Sequence, residues 1–262
     1  VNQRLFLFIL KPMAVTVAEA KKMIAASKKA KVINMINFSK RNSSAIQTAK
    51  KMITEGKIGK VMHVDAQYLQ SWLSTKHWGD WRTESAWLWR LSKKHGSGGV
   101  LGDIGCHIYD LAGYLCGDIS DIYSEVKTFP KAKGNKIGEY ILDANDSFVS
   151  TVTFNNGALG TVHCSRWATG YINREFICVY GDKGAIEIDF NKGTNILRKY
   201  DVSLDVWETI GCPKTPSNYE RFISAIKSKK NDVSDFENGL KIQKYLEATL
   251  ASAKTKKPIK IK

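Results

Sequence analysis

The chain has 262 residues, 43% hydrophobic and 25% charged, enough to bury a sizeable core as one large domain or two small ones. Its mixed apolar and charged residues exclude extended disorder, apart from a basic tail, "KTKKPIKIK", that can fray. Lys and Arg outnumber Asp and Glu by 40 to 25, a formal +15 that favours anionic partners such as nucleotide phosphates, acidic sugars or nucleic acid.

The distribution of charge tempers that reading. Basic residues come as pairs beside Glu in helical stretches such as "EAKKMIAASKKAK", the pattern of a solvated helix face. No basic run is interleaved with aromatics, so no nucleic-acid partner is expected. "LFLFIL", the one long apolar run, is too short to span a bilayer and lacks a convincing cleavage site, so no membrane association is expected and a buried strand is.

"RLFLFIL" is of strand length, with the continuous apolar character of a parallel sheet covered on both faces. A helix follows over "PMAVTVAEAKKMIAASKKA", where Thr16 precedes Glu19 by the three residues of a capping box. "KVINMINF" predicts a second strand, "SSAIQTAKKMITEGK" a second helix and "KVMHVDAQYL" a third strand. That alternation is a parallel α/β pattern, βαβαβ.

"SGGVLGDIGCHIYDLAGYLCGDI", residues 97–119, sets three ionisable groups into an apolar stretch behind a glycine run. Wound as a helix, residues 101–115 gather Asp103, His107, Asp110 and Tyr114 within about 60° of one another. Leu101, Ile104, Ile108, Leu111, Ala112 and Leu115 form a separate stripe about 100° wide. Asp103 lies in the first turn and His107 one turn later, within its reach. A carboxylate beside an imidazole raises the imidazole pKa toward working pH, as a proton-transferring group requires. The same pattern also fits a hydrogen-bonded structural histidine. A metal site would need a distant third ligand, with no H-E-x-x-H or cysteine cluster to support it, so no metal is expected. Cys106 as a nucleophile is disfavoured because His107 points to a different face.

Past residue 145 the pattern changes to strands joined by tight turns. "DSFVSTVTF" and "ALGTVHCSRW" flank "NNG", "EFICVY" and "AIEIDF" flank "GDKG", and "NILRKY" follows "NKG", which predicts an antiparallel meander. Phe148, Val152, Phe154, Val162 and Cys164 fall on one face of the first two strands, and Val149, Thr151, Thr153, Thr161 and His163 on the other. Two amphipathic helices, beginning at "SNYERFISAIKSKK" and "DFENGLKIQKYLEATLASAKTK", close the chain. The five cysteines, Cys106, Cys116, Cys164, Cys178 and Cys212, are odd in number and form no C-x-x-C pair, which argues for a reducing compartment and a cytoplasmic protein.

Five segments in order resemble the Gfo/Idh/MocA family, the glucose–fructose oxidoreductase and inositol dehydrogenase relatives. "SGGVLGDIGCHIYDLAGYLCG" resembles the signature G-G-G-x-L-x-D-x-G-x-H-x-x-D, and "LKPMAVTVAEAKKMI" is similar to the E-K-P motif and its following helix. "NFSKRNSSAIQTAKKMITEGKIGKV" resembles the family's strand, arginine and G-x-I-G-x-V element. "VYGDKGAIEID" and "DFENGLKIQKYLEATLASAKTKKPIKI" are similar to its late strand and C-terminal helix. The resemblance implies an NAD(P)-dependent oxidoreductase acting on a sugar or cyclitol, with a Rossmann domain followed by an α/β domain whose open sheet often forms a homo-oligomer interface. On that basis the fold class is α/β (α+β): an open, mostly antiparallel sheet flanked by helices over residues 61–262, preceded at residues 1–60 by a partial Rossmann-like βαβαβ remnant.

The resemblance also implies roles. Lys11 matches the E-K-P lysine between nicotinamide and substrate, Pro12 the proline beside the cofactor, and Asp103 and His107 the acid and histidine at the reacting carbon. Arg41 matches the arginine after the sixth Rossmann-type strand, and Tyr171 and Asn173 fall where relatives line the sugar pocket. Trp89 and Arg90 could pack and hydrogen-bond a sugar or belong to a core-facing loop. In the implied mechanism His107 exchanges the hydroxyl proton, Asp103 orients the imidazole and stabilises its charged form, and Lys11 holds the hydroxyl.

Two departures stand out. Position 10 is Leu where the family carries Glu, and the sequence contains no G-x-G-x-x-G, since "GSGGVLG" has the wrong spacing. The chain is expected to open at about the fifth Rossmann strand, with the pyrophosphate turn and the ribose-binding acid that would separate NAD from NADP outside it. Two functions therefore stand: an oxidoreductase whose cofactor half comes from elsewhere, or a sugar-binding or oligomerising derivative without redox chemistry.

Overall fold

The computed structural model of the chain describes residues 5–261, so Arg4 of the first apolar run and Lys262 of the basic tail lie outside the described residues. β1 (Phe6–Ile9) and β2 (Ile33–Ile36) pair in parallel, Phe6 opposite Ile33, as a two-stranded sheet. α1 (Val17–Ala30) joins them, and the Thr16–Glu19 capping box is formed in both directions, so two orphan amides of the first turn are satisfied. α2 (Ser44–Thr54) follows, its first turn capped by the Ser43 hydroxyl, which accepts from the Ile46 amide.

β3 (Val61–Gln70) then leaves the first sheet. This corrects the βαβαβ expectation: β3 is a central strand of a nine-stranded sheet, parallel to β8 (Leu159–Ser165) and antiparallel to β9 (Asn173–Gly181). The physical reason is in its own alternation. Val64, Ala66 and Tyr68 are buried while His63, Asp65 and Gln67 are not, so the strand needs one covered and one wet face rather than the two covered faces of a wound parallel sheet.

After β3 the chain makes α3 (Ser85–Leu88) in a tryptophan-rich excursion, α4 (Cys106–Cys116), β4 (Ile119–Lys127) and a small hairpin of β5 (Lys136–Ile137) with β6 (Tyr140–Ile141). β7 (Ser147–Phe154) pairs with β8 through the "NNG" turn. β10 (Gly184–Asp189), β11 (Ile196–Asp201) and β12 (Val206–Gly211) continue antiparallel from β9. α5 (Asn218–Ser228), α6 (Phe236–Thr255) and the edge strand β13 (Ile259–Lys260) finish the chain. The large sheet runs β12-β11-β10-β9-β3-β8-β7-β4-β13. It is therefore not the single meander expected, because β3 separates β8 from β9 and splits the sheet into two antiparallel halves.

One face of this sheet is covered by α2, α4 and α6, and α6 packs on α1 and β2 as well, so one continuous core links the two sheets. Phe148, Val152, Phe154, Val162 and Cys164 all lie in it. The opposite face carries Val149, 55% exposed, and Leu159, 47% exposed, with Tyr123 and Tyr180 also accessible. All five cysteines are free and buried. Among the described residues, no helix is long and apolar enough to cross a membrane.

Candidate active site

The glycine run feeds α4 through one wide turn. Leu101–Gly105 is π-helical and regular α geometry begins only at Cys106, which corrects the even helical winding expected over 101–115. Gly99 has φ +67°, and a Cβ there would collide with Asn145, whose Oδ1 accepts from the Leu101 amide at 2.9 Å. Glycine is thus required where Asn145 ties down the entry to the helix.

Asp103, released by this turn, meets three cations. Lys11 Nζ lies 3.3 Å from Oδ1 and also donates to the Asp103 carbonyl oxygen. Arg166 Nη2 lies 3.1 Å from Oδ2, and Arg90 Nη1 3.5 Å from the same oxygen. Lys11 is 92 residues away in sequence, so the fold makes the expected Lys11–Asp103 encounter. Burial pushes the Asp103 carboxyl up, but Arg166, Lys11 and Arg90 outweigh it and hold it below the usual carboxylate range.

His107 is 6% exposed, with the rings of Phe38 and Tyr68 each 6.4 Å from its own and Nδ1 buried without a hydrogen-bond partner. Here the expected role of Asp103 needs correction. No hydrogen bond joins the Asp103 carboxylate to the His107 ring among the described residues, because the carboxylate is already shared by Lys11, Arg166 and Arg90. Burial drives the imidazole pKa well below its usual value, Lys11 and Lys40 add to that, and the opposing pull of Asp103 does not restore it. The ring is neutral near pH 7.

Lys11, Arg90, Asp103 and His107 line two cavities at once. The first, about 430 Å³, is walled by Trp72, Trp78 and Trp87 with Tyr68 and Gln70 as polar groups. The second, about 420 Å³, lies past the C-terminal ends of β1 and β2, between Leu10, Pro12, Asn37 and Ser39 on one side and Trp89 with the glycine run on the other. Each has the volume of a small-molecule site.

The other expected site residues divide. Trp89 faces the second cavity rather than the first, and Arg90 faces both, its guanidinium 4.8 Å from the Trp89 ring centre. Asn173 accepts from Gln70 Nε2 at 2.7 Å and so fixes a residue of the first cavity. Tyr171, 40% exposed, lines neither cavity and carries Arg174 over its ring at 5.0 Å. Arg41 is not brought to the site either. Its guanidinium is 2% exposed and clamps Asp110 at 2.7 and 2.6 Å, so its expected place at the cofactor gives way to a buried tie between the β2–α2 connection and α4. Asp110 and Tyr114, grouped with His107 in the helical winding, both serve Arg41. Cys106 is a buried thiol, its pKa pushed up to about 12 by burial, which suits packing rather than attack. Among the described residues no three His, Cys, Asp or Glu side chains gather as a metal site.

Sequence reasoning missed Tyr68, Gln70, Trp72, Trp78, Trp87 and Arg166. Tyr68 and Gln70 carried a usable signal, since they stand two apart on the buried face of β3 at its C-terminal end. Arg166, fully buried beside Asp103 and stacked on Trp72 at 4.9 Å, is an isolated cation after a strand, and nothing local distinguishes it.

Comparison with known proteins gives consistent matches. Residues 46–187 match the GFO/IDH/MocA C-terminal domain family. Levoglucosan dehydrogenase of Pseudarthrobacter phenanthrenivorans is 30% identical over 196 residues, 70% of this chain and 48% of that protein. Myo-inositol 2-dehydrogenase of Thermotoga maritima is 27% identical over 194 residues, 72% of this chain and 51% of that protein. The chain thus spans about half the length of these relatives. Among solved structures, an oxidoreductase domain protein from Kribbella flavida superposes with a TM-score of 0.83 at 32% identity, over 98% of this chain and 74% of that one. A levoglucosan dehydrogenase in complex with NADH shares the fold with a TM-score of 0.86 at 24% identity, over 98% and 73%.

Proposed function

Because the chain belongs to the Gfo/Idh/MocA oxidoreductase family, we propose that it forms the substrate side of an NAD- or NADP-dependent dehydrogenase that moves a hydride between nicotinamide and a sugar or cyclitol carbon. In this reading residues 1–60 belong to the cofactor domain and residues 61–262 to the substrate and oligomerisation domain. The observation that carries the proposal is the shared wall: Lys11, Asp103 and His107 separate a tryptophan-walled cavity from a glycine-lined one. The levoglucosan and inositol relatives support the substrate class.

The second cavity fits a nicotinamide ring. It lies at the C-terminal ends of parallel strands, where open α/β sheets hold ligands. A Cβ on Gly102 would meet no atom within 4 Å, so glycine leaves that side of the cavity open. Leu10 and Pro12 offer apolar contact to a planar ring. A nicotinamide held there by Leu10, Pro12 and the glycine run would supply or accept the hydride. Across the wall, neutral His107 takes the hydroxyl proton as the C–H bond breaks, and Lys11 holds the oxygen and stabilises charge that develops on it. Asp103, fixed by Arg166, keeps the Lys11 ammonium in place. Trp72, Trp78 and Trp87 pack the apolar faces of the sugar ring and exclude water. The uncovered face of the large sheet, with Val149 and Leu159 accessible, serves as a homo-oligomer interface.

Titration with NADH and NADPH while following nicotinamide fluorescence tests this reading. Saturable binding is expected, and no binding at millimolar cofactor would leave the sugar-binding or oligomerising derivative as the function of this chain.

A further inference from the structure

Around Asp103 the charges do not balance. Three cations, Lys11, Arg90 and Arg166, face this one carboxylate within 3.5 Å. The nearby charges do not correct the surplus. Lys40 is engaged by Glu175 at 3.0 Å, and Asp146, which lies near Arg166, is engaged by Lys131 at 2.7 Å. His107 contributes no negative charge. Among the described residues, the wall between the two cavities therefore carries two positive charges without a counter-charge.

The surplus has an address. Arg166 is fully buried and spends Nη2 on Asp103 and Nη1 on the Arg90 carbonyl oxygen at 3.1 Å. Arg90 is different: its closest carboxylate contact is the 3.5 Å approach to Asp103, and its side chain remains one-third accessible and lines both cavities, where that of Arg166 is enclosed. Its guanidinium lies over the rings of Trp87 and Trp89, at 5.6 and 4.8 Å from the ring centres, contacts that leave its N–H donors unused. A planar guanidinium with N–H groups to spare matches a planar carboxylate in bidentate fashion, whereas a neutral hydroxymethyl group leaves it unpaired.

We propose that the sugar taken by the tryptophan-walled cavity is acidic, a uronate-type monosaccharide whose carboxylate pairs with Arg90. The inference rests on the sugar-site reading above and narrows it. Recognition then has two parts. Trp72, Trp78 and Trp87 hold the ring, and Arg90 reads the carboxylate, which removes part of the surplus charge as the ligand enters.

Intrinsic tryptophan fluorescence tests the proposal, because three indoles line the cavity. The probes are matched pairs that differ only at one carbon: D-glucuronate against D-glucose and D-galacturonate against D-galactose, with D-glucose 6-phosphate as a further anion. At least one acid binds about tenfold or more tighter than its neutral partner, and the preference shrinks as NaCl rises from roughly 50 to 500 mM. R90Q, of unchanged circular dichroism and Tm, brings each acid to within about threefold of its neutral partner, whatever its effect on sugar binding as a whole. Neutral sugars binding as tightly as both acids overturn the proposal but leave the sugar site standing. An acid preference that survives in R90Q overturns the role of Arg90, and tighter binding of the phosphate than of either uronate overturns the choice of carboxylate. Absence of a saturable change with every sugar refutes the sugar-site reading and this inference with it.

Discussion

Replacing Arg41 by Met tests whether this residue is structural. Arg41 and Asp110 are 2% and 1% exposed, joined by two bonds of 2.7 and 2.6 Å. Arg41→Met keeps an apolar side chain of similar length but loses the guanidinium over Tyr114 and leaves the Asp110 carboxylate buried, with Asn238 Nδ2 at 2.9 Å as its remaining side-chain donor among the described residues. Removing one partner of such a pair costs about 3–5 kcal/mol, because the other charge stays desolvated and unpaired. For a chain of this size about 1 kcal/mol moves Tm by roughly 2–4 °C, so a fall of about 6–20 °C is expected. The double variant R41M/D110L removes both charges and recovers most of the loss. Urea unfolding with an unchanged m-value, backed by calorimetry, measures both. A loss below about 1 kcal/mol, or a double variant no more stable than the single, would refute the structural reading. So would an R41M protein of normal Tm that has lost NADH affinity.

Three further outcomes follow from the same geometry. His107 has a depressed folded-state pKa, so above its unfolded value of about 6.5 both states are neutral and stability is full. Below that value the unfolded chain takes up a proton that the folded chain refuses, and stability falls by about 1.4 kcal/mol per pH unit until the folded pKa is reached. Urea unfolding at about pH 7.5 and about pH 5 should therefore show a smaller acid loss in H107Q than in the parent, and equal losses contradict a buried neutral imidazole. Gly102→Val, which points a side chain into the second cavity, is expected to keep the parent Tm and to weaken NADH binding by about tenfold or more, read by nicotinamide fluorescence. Undiminished binding would place the ring elsewhere. Val149→Lys combined with Leu159→Lys on the open sheet face is expected to convert a homo-oligomer to monomer in light scattering, with less than about 1 kcal/mol of lost stability. An unchanged mass would remove that face as the interface.

What could be read from the sequence follows from how local each signal is. Thr16 and Glu19 announce their helix because a capping box acts over one turn. The Phe148, Val152 and Val162 face was legible because a strand's period is fixed by its pleat. Lys11 meeting Asp103 came from family resemblance, since 92 residues separate them and no spacing rule spans that distance. The crossing of β3 into the large sheet was hidden because alternation along a strand describes its two faces and not its partners. The coupling of Asp103 to His107 failed for an electrostatic reason: a carboxylate surrounded by three cations and an imidazole taken out of water are both set by residues distant in sequence. Arg166 and the tryptophans around the first cavity reach the site only through tertiary folding, and no local rule would have found them.

The account turns on Lys11 and His107 lying between a bound sugar and a bound nicotinamide. A crystal structure grown with NADH and a sugar that quenches the cavity tryptophans measures this directly. The predicted result is a sugar against Trp72 and Trp87 with one hydroxyl oxygen within hydrogen-bond distance of both Lys11 Nζ and the His107 ring, and the nicotinamide on the Gly102 side of that wall. A sugar bound away from His107, or a nicotinamide among the tryptophans, contradicts it.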